Sequence, residues 1–208
     1  KVDYSTFDAD DTLDAKLKSQ QALYDVVVPS ATPFFARQLA AGLYRTLDRS
    51  KLRNWGNVDP GIMTQLARVD PGNAHAVPWM WGTTGLGYDV AEIARRMPGA
   101  PVDSLRMLFD PAVVAKFKDC GVRMVDSPTD VFPAALKYLG LDPDSRKPED
   151  LDRAAEAIKA IRPHVVLDTV NYATALGEGR ACRVLGYSGD IIQVRRQADG
   201  KRDIRYVI

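Results

Sequence analysis

Along the chain, short apolar runs alternate with stretches of helical spacing, the pattern of an α/β protein. KVDYSTF at the start reads as a strand, and Asp11 to Lys18 reads as a helix rich in early acids. YDVVVPS is a compact apolar run ending at Pro29-Ser30, the signature of a buried parallel strand emptying into a loop. Helical spacing from Phe34 to Leu43 stops near Gly42. Asp59-Pro60 supplies a cap and a first-turn proline for a helix through Leu66 to Arg68, and Asp110-Pro111 does the same for a helix to Lys118. In the second half GVRMVDS, HVVLD, ACRVLGY and DIRYVI read as strands. Helices are expected from Ser127 to Leu139, Pro148 to Ile161, Val170 to Leu176 and Gly189 to Gln197.

Residues Ala74 to Tyr88 (AHAVPWMWGTTGLGY) break the rhythm. They are apolar, aromatic and β-branched, with glycines that interrupt any helix, so an extended segment is expected. The glycines do not form GxGxxG, which leaves little support for a nucleotide site.

The length of 208 residues fits one or two domains with a real core. Net charge is +1, so no excess of Lys and Arg is available to track the phosphates of a nucleic acid. No apolar run approaches the roughly 20 residues a membrane helix needs. A signal peptide is absent and residue 1 is Lys, which says nothing against secretion. Ile208 lies inside a β-prone apolar run, and a strand reading at each end suggests a piece of something longer.

His75 and His164 are the only histidines, and Cys120 and Cys182 lack CxxC spacing, so neither a metal nor a cofactor is expected. A disulfide between the cysteines would enclose about sixty residues and stabilise by roughly 4 kcal/mol. Two separate buried thiols are the equal alternative.

Several stretches in series resemble the putrescine/spermidine-binding proteins of bacterial polyamine ABC transporters. They are YDVVVPSA, RQLAAGLYRTLDRSKLRNWGNVDP, RVDPGN, AVPWMWGTTGLGYD, KDCGVRMVDSPTDVFPAALKYLGLDPDS, IRPHVV and CRVLGYSGDIIQ. The resemblance implies a type II two-lobed periplasmic solute-binding fold, present only in part, with ligand held between α/β lobes. Residues 1–88 would be a partial first lobe with the first crossing segment, and 89–208 a nearly complete second lobe ending at the return crossing. It further implies periplasmic location, a Cys120–Cys182 disulfide, and delivery of a polyamine to an inner-membrane ABC permease.

Burying an ammonium costs several kcal/mol unless it gains a carboxylate and further acceptors, and aromatic faces add about 0.5–2 kcal/mol. A polyamine site therefore calls for acids beside rings at strand ends. By the resemblance Asp130 and Asp190 grip ammonium groups, Tyr187 stands for a family aromatic that is often Trp, and Ser30 is a hydroxyl acceptor. Each also has a structural role to offer. Ser127-x-x-Asp130 is a capping-box pattern, Asp190 suits a helix start capped by Ser188, Tyr187 suits a core, and Ser30 suits a helix cap. Ser127 lies where spermidine binders have an extra Asp, which favours a diamine. Trp79, Trp81 and Tyr88 are expected to pack in the crossing segment. Rival readings are an enzyme, for which no nucleophile motif is found, the same fold with another small cationic or polar solute, and a non-transport polyamine sensor.

Overall fold

A computed structural model describes residues 2–7, 9–19 and 24–208 of the chain. Contacts divide it into two compact units, Lys1–Trp81 and Gly82–Ile208.

The first unit is built from short helices. Helix α1 (Asp10–Lys18) carries acids in its first turn and lysines in its last, which complements the helix dipole. Its buried Asp14 accepts from Lys18 Nζ at 2.6 Å and from Gln38 Nε2 at 3.1 Å, which ties α1 to α2 (Ala36–Ala40). Helix α3 (Pro60–Leu66) begins as its sequence dictates, with the Asp59 carboxylate accepting from the Ile62 N–H. Helical backbone ends at Ala40, before the expected Leu43, and Gly42 turns the chain at φ 71°.

Neither expected strand of this unit forms among the described residues. Residues 2–7 and 24–30 are irregular, and Lys1 of the first run lies outside the described residues. An apolar run becomes a strand only when another strand takes up its backbone groups. None does so here, and Val26 and Val28 are 81% and 51% exposed.

The second unit carries one five-stranded sheet in the order β3-β2-β4-β1-β5. The strands are β1 (Thr84–Asp89), β2 (Val122–Met124), β3 (Val166–Leu167), β4 (Arg183–Tyr187) and β5 (Ile204–Val207). Strand β2 runs parallel to β3 and β4, whereas β1 runs antiparallel to both β4 and β5. Thr84–Asp89 is thus a strand of this sheet, and the division falls at Trp81–Gly82 rather than after Tyr88.

Helices α4 (Val90–Arg96), α5 (Arg106–Phe109), α6 (Pro111–Val114), α7 (Pro128–Tyr138) and α8 (Pro148–Ile161) contribute to one core cluster. Helices α9 (Tyr172–Gly177) and α10 (Ser188–Gln197) form a second. Strand residues alternate between the two: Leu86, Met124 and Leu185 join the first, Val184 and Ile204 the second. The expected helix from Pro111 to Lys118 is α-helical only to Val114 and then tightens into a 3-10 turn, Ala115–Cys120.

Cys120 and Cys182 are joined by a disulfide, with Cα atoms 5.4 Å apart. Cys182 stands just before β4, and its N–H donates to Gly121 O at 3.0 Å. Gly121 has φ 87°, and a Cβ there would lie 2.5 Å from Arg180 O, so the close approach of the two strand starts needs glycine.

Candidate functional site

Parallel strands bring their carboxyl ends to one edge of a sheet. The end of β2 leads into α7, and the end of β4 into α10. Strand β1, running the other way, begins at the same edge, with Thr84 opposite Tyr187. Three chain segments separated widely in sequence therefore converge there.

Asp130 sits half-buried in the first turn of α7. Its carboxylate accepts three hydroxyl protons: Thr84 Oγ1 at 2.6 Å, Ser127 Oγ at 2.5 Å and Tyr187 Oη at 2.9 Å. The capping box is not made: Ser127 Oγ accepts from no helix N–H, and its proton goes to the Asp130 carboxylate. Ser188 likewise does not cap α10. Its Oγ accepts from Thr83 N–H at 3.2 Å and its own N–H donates to Thr83 O at 2.9 Å, fastening α10 to the approach to β1.

Asp190 lies exposed in the first turn of α10 and accepts from the hydroxyl of Tyr172. That hydroxyl also accepts from the Tyr187 N–H at 3.2 Å. The Tyr172 and Tyr187 rings meet edge to face, centroids 6.4 Å apart and planes at 75°. Tyr187 is 39% exposed, so part of its ring surface remains open. Burial, with the Asp130 carboxylate beside it, pushes the Tyr187 phenol up to about 12. Burial and then the Asp190 carboxylate push Tyr172 higher as well. Both phenols stay protonated and act as fixed donors.

The electrostatics decide what the edge can bind. Among the described residues neither Asp130 nor Asp190 has an ion-pair partner, although many other acids of the chain do. Among the described residues only hydroxyls hold these carboxylates, and neither charge is neutralised there. Asp130 also borders a cavity of about 880 Å³ lined by Thr84, Ser104, Pro133 and Val207 among others, which Tyr187 and Asp190 do not line.

The structure thus joins Asp130, Tyr187 and Asp190 in one hydrogen-bonded network of the second unit. Ser30 belongs to the first unit. It is exposed, does not cap the following turn, and donates its hydroxyl proton to Asp10 at 2.5 Å, which leaves its lone pairs to accept. Tyr88 is core at 5% exposure, as expected, but Trp79 and Trp81 are 75% and 72% exposed and do not pack. Thr84 and Tyr172 were not singled out by the sequence. The only signal for Tyr172 is an aromatic opening a short helix just after a strand.

No group of three or more potential metal ligands gathers among the described residues, and no helix there is long and apolar enough to cross a membrane. The family description "bacterial extracellular solute-binding protein" matches residues 1–208. The chain belongs to this family of solute-binding proteins. It is 45% identical over 201 residues to the putrescine-binding periplasmic protein SpuD of Pseudomonas aeruginosa, covering 96% of this chain and 54% of that one. It is 39% identical over 201 residues to the putrescine-binding periplasmic protein PotF of Escherichia coli, covering 95% and 54%. The chain therefore spans about half the length of these relatives. Among solved structures, the spermidine/putrescine ABC transporter substrate-binding protein PotD of Streptococcus pneumoniae superposes with a TM-score of 0.76. That match has 23% identity and covers 100% of this chain and 60% of that one, so it speaks for the fold alone. This solute-binding protein thus has the mixed α/β fold of type II binding proteins, and its family is one of solute binders rather than of enzymes.

Proposed function

We propose that the protein captures a polyamine, putrescine in preference to spermidine, in the periplasm and delivers it to an ABC permease of the inner membrane. The observation that carries this reading is the pair of carboxylates at the sheet edge, Asp130 and Asp190, each held by hydroxyls and neither neutralised by a cation among the described residues. Desolvating an ammonium is costly, and an unpaired carboxylate with spare lone pairs offsets that cost. The half-exposed Tyr187 ring offers a face for the methylenes or for cation–π contact. An anionic solute would meet two like charges and is disfavoured. Ser30, on the first unit, is proposed as a further acceptor for an ammonium, and the two units as parts of the two lobes.

The diamine preference has support at Ser127. A hydroxyl there donates to Asp130 and adds no third negative charge, which suits a ligand with two charges. Relatives named for putrescine point the same way.

Titration calorimetry of the intact protein with putrescine and spermidine tests the proposal. Binding near 1 µM, about −8 kcal/mol, is expected for putrescine, with weaker binding of spermidine. Absence of heat with either amine overturns the function, and tighter binding of spermidine overturns the preference.

A further inference from the structure

We propose that Tyr172 is a positioning residue for the amine site, its buried hydroxyl setting the Asp190 carboxylate in place before ligand arrives. The inference rests on the polyamine reading of Asp190.

The placement of Tyr172 is determined from several directions. Arg123 of β2 pairs with Asp168, whose Oδ1 accepts from the N–H groups of Val170 at 3.2 Å and Asn171 at 2.8 Å. That turn delivers Tyr172 to the start of α9. Its side chain is 2% exposed and its ring packs closely against Gly186, where a Cβ would stand 2.0 Å from a ring carbon. Packed in this way, the ring has no freedom to swing.

One hydroxyl then serves both ends of the site. It accepts from Tyr187 N–H, which holds the backbone under the Tyr187 ring, and gives its single proton to Asp190 Oδ2. Asp190 Oδ1 has no hydrogen-bond partner among the described residues. A carboxylate at an exposed helix start rotates freely unless something holds one oxygen. Here one oxygen is held and the other is open, the arrangement an incoming ammonium needs. Fixing the acceptor in advance removes an ordering cost from binding.

The test is a double-mutant cycle on the intact protein, read by calorimetry with putrescine. Tyr172→Phe keeps the ring on Gly186 and deletes only the hydroxyl. It is expected to weaken putrescine about tenfold in the wild-type background, the scale of a lost hydrogen bond to a charged group. In an Asp190→Asn background the same change is expected to cost less than twofold, because no carboxylate remains to be set. The carboxyl-carbon NMR signal of Asp190 should also move in ligand-free Tyr172→Phe. Equal losses in the two backgrounds, unchanged affinity, an unmoved Asp190 signal, or a variant that fails to fold would each give the hydroxyl no positioning role and overturn the inference. Failure of the wild-type protein to bind putrescine is a different result, and overturns the polyamine reading on which the inference rests.

Discussion

Asp130 and Asp190 share a residue type but not a condition. Asp130 already receives three hydroxyl protons and is half-buried, whereas Asp190 receives one and is exposed. The less saturated carboxylate has more to offer a cation, so Asp190→Asn is expected to weaken putrescine binding at least tenfold, about 1.4 kcal/mol or more. An unchanged dissociation constant by calorimetry would remove Asp190 from the site. Arg183 poses the opposite case. It is 0% exposed, two of its nitrogens have no hydrogen-bond partner among the described residues, and its guanidinium lies 4.5 Å from the Phe117 ring centroid. Burial alone pushes it down to about 9. A charge so placed costs stability, so Arg183→Met should raise the melting temperature, with a gain of about 1 kcal/mol or more in denaturant titration. A loss of stability would show that the guanidinium has partners that compensate its burial. The pattern of the sequence hides this residue completely, since a cation inside ACRVLGY reads as an outward-facing strand position.

At the scale of elements, the sequence is most readable where neighbours in the chain decide the outcome. Asp59 and Asp110 cap their helices, and Pro148–Ile161 forms as a helix at the expected bounds. Strands after residue 120 also form, because each is bounded by turn residues and packs into a core. The two runs of the first unit fail because pairing is a property of a partner, not of the run itself. The site divides along the same line. Asp130, Tyr187 and Asp190 are singled out by the resemblance, and each stands at the end of a strand or in the first turn of the helix that follows it. Thr84 and Tyr172 are not singled out, since their roles depend on the reversed direction of β1 and on a contact 18 residues away. The disulfide belongs to this scale too, for it joins the segments leading into β2 and β4, whose far ends carry the two acids. Replacing both cysteines by Ala should cost about 4 kcal/mol by loss of chain constraint, measured by urea titration. A double variant as stable as the wild type under oxidising conditions would show that the bridge adds nothing to this packed pair of strands.

For the molecule as a whole, a net charge of +1 leaves no large general repulsion to drive unfolding near neutral pH. Its response to acid should instead come from particular carboxylates, among them Asp70 in the first unit and Asp168 in the second. In the first, Asp70 is 0% exposed; burial by itself would raise its carboxyl, but the His75 ring and the N–H groups of His75 and Ala76 outweigh this and hold it below the usual value of 3.8. In the second, burial of Asp168 is outweighed in the same way by the Asn171 and Val170 N–H groups and by Arg123. A carboxyl lowered in the folded state contributes stability that is fully present above its unfolded value and is lost as pH falls through the folded one. Stability should therefore hold level from neutrality to about pH 5 and decline below about pH 4. Asp70→Asn should be less stable than the wild type at pH 7, and the difference should shrink as the pH is lowered toward 3. Urea titrations across that range check it: a deficit of constant size would mean that Asp70 stabilises its unit by packing and neutral hydrogen bonds, with its charge contributing nothing.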